Sequence, residues 1–268
     1  MQIMHTDRVS HSLNMPEGAR VLAPSAVGLT QEKMYTDAEG PQDYPTPQEM
    51  TIVEIHEDID EYVYTAKQAI KAGFDGVELY VANGYLINQF ISPITNKRED
   101  KYGGSVDNRL RFALEIAEKT VAAIGKERVG IRISSYGVFN GLGTFKGIEE
   151  TYEILAKKVN GFGLVYLHLV DHSTMGAPEV PDAIKKLLRK NFKNTFILSG
   201  GYDAERAEKD LQADKGDLIA FGRPFISNPD LVTRMKEGIE LTQPNPDTFY
   251  TPGKGGYTDY GKAELKTA

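Results

Sequence analysis

Cysteine is absent from the 268 residues. That one absence removes disulfide bridges, thiolate metal centres and a cysteine nucleophile together. No metal-ligand spacing is found among the five histidines and the acidic residues. Long apolar runs are missing as well, since a membrane helix needs about 20 consecutive apolar residues. The opening M-Q-I-M-H-T-D-R lacks the apolar stretch of a signal peptide, so the cytoplasm is the expected location. Positive charge is in deficit, with 31 Lys and Arg against 38 Asp and Glu and a net charge of −7. Such a balance argues against nucleic acid or an anionic membrane as the main partner. The run K-K-L-L-R-K at 185–190 reads as a solvated helix face.

What remains is the composition of an ordinary globular protein, 40% apolar and 26% charged, long enough for one large α/β domain. From residue 55 onward, helical periodicity alternates with short β-branched runs. The pattern predicts helices over 57–72, 107–124, 148–160, 180–191, 203–212 and 228–236. Strands are predicted over 75–80, 128–134, 164–170, 195–199 and 217–221, with one more at Gln2–His5. Strands such as V-G-I-R-I-S and T-F-I-L-S read as apolar runs buried on both faces. Strict alternation means a parallel sheet, and nothing in the composition divides the chain, so 1–268 is expected to be a single domain. The Pro-, Gly- and Ser-rich stretch from Arg8 to Glu54 is too long for an idle connection. It is expected to run over the functional end of the sheet.

In parallel α/β folds the carboxyl ends of the strands carry the chemistry. The strand at 75–80 runs directly into a loop with Tyr80, Asn83 and Tyr85. A phenol can give a proton to a developing carbanion, and an amide or second hydroxyl can hold an oxygen. Two tyrosines and an asparagine can equally just cap a strand. After the penultimate strand comes S-G-G-Y-D with Gly200 and Gly201, and after the last comes F-G-R-P-F with Gly222 and Arg223. Glycine backbone and an Arg fork suit a phosphate, although glycines also simply terminate strands. Arg132 lies inside an apolar strand and needs a partner, either Glu78 on the neighbouring strand or an anionic ligand. His168 reads as a satisfied core histidine; Asp171 with His172 could make an acid–base pair but reads rather as a polar loop edge, since no nucleophile is tied to them in sequence. The remaining strand ends carry Ser134, Val170, Ser199 and Phe221, so the paired carboxylates of glycoside hydrolysis are lacking.

The segment G-V-E-L-Y-V-A-N-G-Y from Gly76 to Tyr85 resembles the active-site signature of the old yellow enzyme family. These are FMN-dependent ene-reductases, and the likeness is to the N-ethylmaleimide reductase type. It runs from Gln2 to Tyr260 and is strongest over 76–112 and 217–231. The resemblance implies a TIM (β/α)8-barrel, of which this chain carries about six strand–helix units. It implies that Tyr85 is the proton donor and that Asn83 and the residue at Tyr80 bind the substrate carbonyl. The family has His where Tyr80 stands. It further implies that Gln2, Arg132, Gly200, Gly201, Gly222 and Arg223 contact FMN and that Tyr250 lines the substrate cavity. The alternative for Tyr250 is an aromatic packed under the last loop. In Q-I-M-H-T-D-R, Met4 replaces the family's Trp and Asp7 its Gly. If Asp7 needs a positive φ, the cost is about 1 kcal/mol.

The implied activity is reduction of the C=C bond of an α,β-unsaturated carbonyl compound, with NADPH or NADH as reductant. The implied partner is a small enone, and a homo-oligomer is left open. Two strands that precede Gln2 in the family are not in this chain. The expectation is therefore a fragment or truncated product, or a chain whose barrel is completed by assembly. A non-catalytic paralogue that does not hold FMN is the alternative.

Overall fold

The computed structural model describes residues 1–30 and 32–263. Strand β1 (Gln2–Ile3) opens the chain and is followed by four short strands, β2 (Leu22–Ala23), β3 (Lys33–Thr36), β4 (Gly40–Asp43) and β5 (Gln48–Glu49). Then come α1 (Ile52–Lys71), β6 (Val77–Val81), α2 (Leu86–Ile91), α3 (Val106–Ile124), β7 (Val129–Ile133) and α4 (Ile148–Phe162). The chain continues with β8 (Tyr166–Val170), α5 (Asp182–Asn191), β9 (Thr195–Ser199), α6 (Ala204–Gln212) and β10 (Leu218–Ala220). Two short helices follow, α7 (Arg223–Ser227) and α8 (Leu231–Glu237).

The main sheet has six strands in the order β1-β6-β7-β8-β9-β10. Every pairing in it is parallel, so the architecture is the expected α/β wall of an incomplete barrel. Helix α1 starts earlier than periodicity suggests because Thr51 and Glu54 form a reciprocal capping box.

The expectation that both faces of the strands are apolar is corrected. Leu79, Val81, Ile131, Ile133, Leu167, Leu169, Phe196 and Leu198 point to one face and join a single core with Ile59, Phe112, Leu155 and Ile184 of the helices. Burying each such side chain contributes roughly 1.5–3 kcal/mol, so this outer face holds the fold. The alternate positions carry Glu78, Arg132, His168 and Ser199, and these are only half-buried. The inner face is thus polar, and the period-2 alternation of a pleated strand separates the two roles.

The 8–54 excursion is not a bare loop: β2 pairs with β5, and β3 forms a hairpin with β4. It is fastened over the carboxyl ends of β6 and β7. Buried Arg8 donates from Nη1 to Val27 O at 2.9 Å and from Nη2 to Asn140 O at 2.6 Å. Arg98 Nη1 donates to Pro24 O at 2.9 Å and to Met50 O at 2.6 Å. Asp7, just before Arg8, does take a positive φ of 58°, which is costly for a residue with a Cβ.

Burial raises the Asp7 carboxyl well above its usual range, and burial with nearby Glu61, Glu54 and Glu57 raises Asp58 on α1 to about 7. A folded pKa above the unfolded value means that the protonated form is favoured on folding. Stability is then fully present below the ordinary carboxylate pKa and falls as pH rises toward 7. Asp58→Asn is expected to remove its share of that fall and leave the part due to Asp7. Thermal midpoints of both proteins at about pH 5 and about pH 8 test this, and parallel curves would refute it.

Candidate active site

Strand β6 delivers Tyr80 at its carboxyl end, and the chain turns sharply two residues later. Asn83 has φ 58° and Gly84 has φ 76°, a left-handed pair that asparagine tolerates and glycine adopts freely. A Cβ on Gly84 would lie 2.6 Å from Phe139 O, so the position is closed to other residues. Asn83 N donates to Ser134 Oγ at 2.7 Å, and Asn140 Nδ2 donates to Asn83 O at 2.7 Å. Asn88 Oδ1 accepts from Gly84 N at 3.0 Å, and Gln89 Nε2 donates to Gly84 O at 2.7 Å. Backbone and neighbours therefore hold the turn on four sides.

Within that frame Asn83 Nδ2 donates to the Tyr80 hydroxyl at 2.5 Å. The Tyr80 and Tyr85 rings meet edge-to-face with centroids 5.6 Å apart. The three side chains expected to act together are together. Burial raises the Tyr80 phenol above its ordinary pKa, with Tyr85 and Glu78 adding to the shift and Arg132 and Asn83 opposing it. Tyr80 stays protonated near neutral pH. Its oxygen accepts from Asn83 while its own hydrogen is left to donate.

Arg132 links this cluster to a cavity of about 460 Å³. Its guanidinium lies 5.1 Å from the Tyr80 ring centroid, a favourable cation–π placement. Of the two partners open to Arg132, Glu78 is engaged elsewhere: it accepts from Gln2 Nε2 at 2.6 Å and contacts His168 Nδ1 at 3.0 Å. Arg132 Nε and Asn83 Oδ1 are buried without partners. Such orphans cost about 1–3 kcal/mol each and mark places where a ligand group completes the bonding.

Gly200, Gly201, Gly222 and Arg223 line the same cavity as Arg132. Gly200 and Gly201 have φ of 124° and 63°. A Cβ would come within 2.0 Å of Asp171 O at Gly200 and 2.1 Å of Thr174 Cγ2 at Gly201. Among the described residues, no hydrogen bond uses the backbone N–H of Gly200, Gly201 or Tyr202. Free N–H groups on a left-handed glycine turn, with an arginine opposite, make an anion-binding concavity. The helix after this turn starts at Ala204, capped by Asp203, later than the glycines themselves.

Three expectations change. Gln2 is on an exposed edge strand and is bonded to Glu78, away from the cavity that holds Arg132. Tyr250 is 95% exposed, lies outside the 460 Å³ cavity, and is not packed beneath the last loop. Among the described residues its aromatic neighbour is Phe249, edge-on with ring centroids 6.5 Å apart. Asp171 is no loose loop edge, since it lies buried beside Lys185 Nζ at 3.4 Å. His168 is satisfied as expected, by Glu78 and by Ser199. Ser134, Asn140 and Asn88 position the turn, yet only the strand-end place of Ser134 gave any sign of this in the sequence. His172 lines the cavity, with its pKa lowered by burial and by Arg132.

Residues 1–242 match the sequence profile of the NADH:flavin oxidoreductase / NADH oxidase family. The chain is 42% identical over 234 residues to chanoclavine-I aldehyde reductase fgaOx3 of Penicillium roqueforti, covering 84% of this chain and 63% of that protein. It is 36% identical over 262 residues to a probable flavin mononucleotide-dependent alkene reductase of Leishmania infantum, covering 97% of this chain and 71% of that protein. Among solved structures, morphinone reductase in complex with tetrahydroNAD superposes with a TM-score of 0.92 at 38% identity. That match covers 98% of this chain and 72% of the other. The chain thus spans roughly three fifths to three quarters of the length of the proteins it resembles.

Proposed function

The chain belongs to the NADH:flavin oxidoreductase / NADH oxidase family, and from that premise we propose that it is an FMN-dependent ene-reductase. It would reduce the C=C bond of small α,β-unsaturated carbonyl compounds at the expense of NADPH or NADH. The observation that carries this reading is the place of Arg132. The residue joins the Tyr80–Asn83–Tyr85 cluster to the glycine-lined cavity through a guanidinium whose Nε lacks a partner.

The residues present fit the cofactor. Free N–H groups at Gly200 and Gly201 and the Arg223 fork suit the phosphate, and Arg132 suits the electron-rich edge of the ring. When bound, FMN would supply the hydride-transfer chemistry between the nicotinamide and the alkene. The protein's part is then binding and proton transfer. The Tyr80 hydroxyl and the second N–H of Asn83 hold the substrate carbonyl oxygen and polarise it. Tyr85 carries, on its hydroxyl, the proton that the α-carbon takes up. The same reading places the enzyme in the cytoplasm with a small enone as partner, and leaves out nucleic acid and membrane. Among the described residues no helix is long and apolar enough to cross a membrane.

Colour gives the first test. Purified with FMN, the protein is expected to be yellow, to quench flavin fluorescence and to release FMN on denaturation. A colourless protein that cannot be reconstituted overturns the reading and leaves a paralogue without flavin. A substitution tests the phosphate loop separately. A Cβ at Gly222 meets no atom within 4 Å, and its φ of −106° lies outside the left-handed region that favours glycine. Gly222→Val should therefore fold with an unchanged thermal midpoint but project into the cavity. FMN binding is expected to weaken by about tenfold or more, equivalent to about 1.4 kcal/mol. Unaltered affinity by fluorescence titration would remove Gly222 from the site.

A further inference from the structure

The inner face of the sheet carries a second constellation that reduction of an enone does not need. Glu78 on β6, His168 on β8 and Ser199 on β9 form one hydrogen-bonded line across the strands. Glu78 Oε2 lies 3.0 Å from His168 Nδ1, and His168 Nε2 lies 3.0 Å from Ser199 Oγ. Gln2 Nε2 fixes the far oxygen of the carboxylate at 2.6 Å. Burial pulls the Glu78 carboxyl upward, but hydrogen bonds from His168 and Gln2, with Arg132 nearby, outweigh it and leave the pKa lowered. Glu78 is therefore ionised at neutral pH, and an ionised carboxylate at Nδ1 places the ring proton there. Nε2 is left as an acceptor. The Ser199 hydroxyl has a second acceptor in Leu169 O at 3.3 Å, a longer contact than that to the ring nitrogen.

Ser199 is also accessible, because it lines the 460 Å³ cavity at the carboxyl end of β9. The residue after it is Gly200, whose N–H has no partner among the described residues. An N–H in that place relative to a nucleophile is a donor for a developing oxyanion. Arg132 also lines this cavity, so a positive charge lies near the space an oxyanion would occupy. Nucleophile, base, orienting carboxylate and oxyanion donor are thus present together, and such a set is recognised by geometry and role rather than by fold.

We propose that Ser199, His168 and Glu78 give this chain an esterase activity toward short-chain carboxylic esters whenever FMN does not fill the cavity. Ser199 Oγ attacks the ester carbonyl carbon as its proton passes to His168 Nε2. The carbonyl oxygen becomes the oxyanion held by the Gly200 N–H. Collapse breaks the bond to the alcohol oxygen, which takes the proton from His168 and leaves an acyl-serine. Water repeats the sequence, giving the carboxylic acid and free Ser199, and no redox partner enters. Glu78 is a positioning residue, whereas Ser199 and His168 touch the reacting atoms.

The purified full chain, free of flavin, is treated with a fluorophosphonate probe and mapped by peptide mass spectrometry, and p-nitrophenyl acetate hydrolysis is followed in parallel. Labelling is expected at Ser199, and added FMN should protect it. Ser199→Ala should abolish labelling and reduce hydrolysis to background. His168→Gln should slow hydrolysis by about 10²–10⁴-fold. Glu78→Gln should lower kcat while leaving KM unchanged, which a merely structural role would not do. No labelling of the wild-type chain, or labelling at another residue, overturns the proposal without recourse to any variant. The ene-reductase reading stands or falls separately, since the labelling needs no bound flavin.

Discussion

Replacing Tyr85 by Phe is expected to lower the rate of enone reduction by about 10²–10⁴-fold. Reduction of the bound flavin by NADPH or NADH should proceed as in the parent protein. The asymmetry follows from where the hydroxyl sits. Tyr85 stands at the start of α2, and its ring is kept by the edge-to-face contact with Tyr80, which Phe preserves. The Tyr85 backbone N–H bonds to Ala82 O at 3.3 Å, and its carbonyl accepts from Gln89 N at 2.9 Å, so the turn does not depend on the phenol. In the proposed mechanism, what disappears is the single proton that the α-carbon takes up. Stopped-flow measurement of the two half-reactions separates the cases. If both keep their rates, the proton comes from elsewhere and Tyr85 is not the donor.

Tyr80→His is the complementary change, since in the proposed mechanism the pair at 80 and 83 holds the carbonyl oxygen. An imidazole is shorter than the phenol and moves the donor away from Asn83 Nδ2, which now lies 2.5 Å from the Tyr80 oxygen. The parent protein and the variant should therefore rank a series of enones differently.

The sequence made the layered order of the chain legible because periodicity reports burial, and α1, α3 and α4 each bury one stripe against the sheet. It did not reveal α2, whose six residues are all buried and so have no polar face to alternate with. Nor did it separate the two faces of the strands. In V-G-I-R-I and T-F-I-L-S the inner positions include glycine and isoleucine, which hide the alternation. The glycine loops and Arg132 stand out in the sequence as candidates, because a charge inside an apolar strand needs a partner and paired glycines at strand ends either end the strand or bring backbone close to a ligand. Their convergence on one cavity depended on strand register, which pairs Tyr80 with Arg132 and Arg132 with His168. Register comes from packing across distant segments, not from local propensity. Tyr250 was misplaced for the same reason, since nothing local says which way an aromatic near a terminus will face.

Asp171→Ala is expected to cost about 3 kcal/mol of stability, and the cavity should loosen with it. Asp171 Oδ1 accepts from Ser173 N at 2.9 Å and Oδ2 from Val180 N at 3.3 Å, so one carboxylate ties both ends of the loop that forms a cavity wall. Lys185 Nζ, also buried, lies 3.4 Å from the same carboxylate. Removing one partner of a buried pair leaves an unmatched charge, which typically costs about 3–5 kcal/mol. The lower end is expected because Asp182, 3.9 Å from Lys185 Nζ and well exposed, relieves part of it. The double variant Asp171→Ala with Lys185→Met should recover some of the loss, because no charge is then stranded. The loop would still lack its ties to Ser173 and Val180, and Thr174 would no longer be pressed against Gly201. Urea unfolding should therefore show partial recovery in the double variant, while FMN affinity stays low in both. If the double variant is no more stable than the single one, the ion pair is not what Asp171 contributes, and its two backbone hydrogen bonds account for the whole effect.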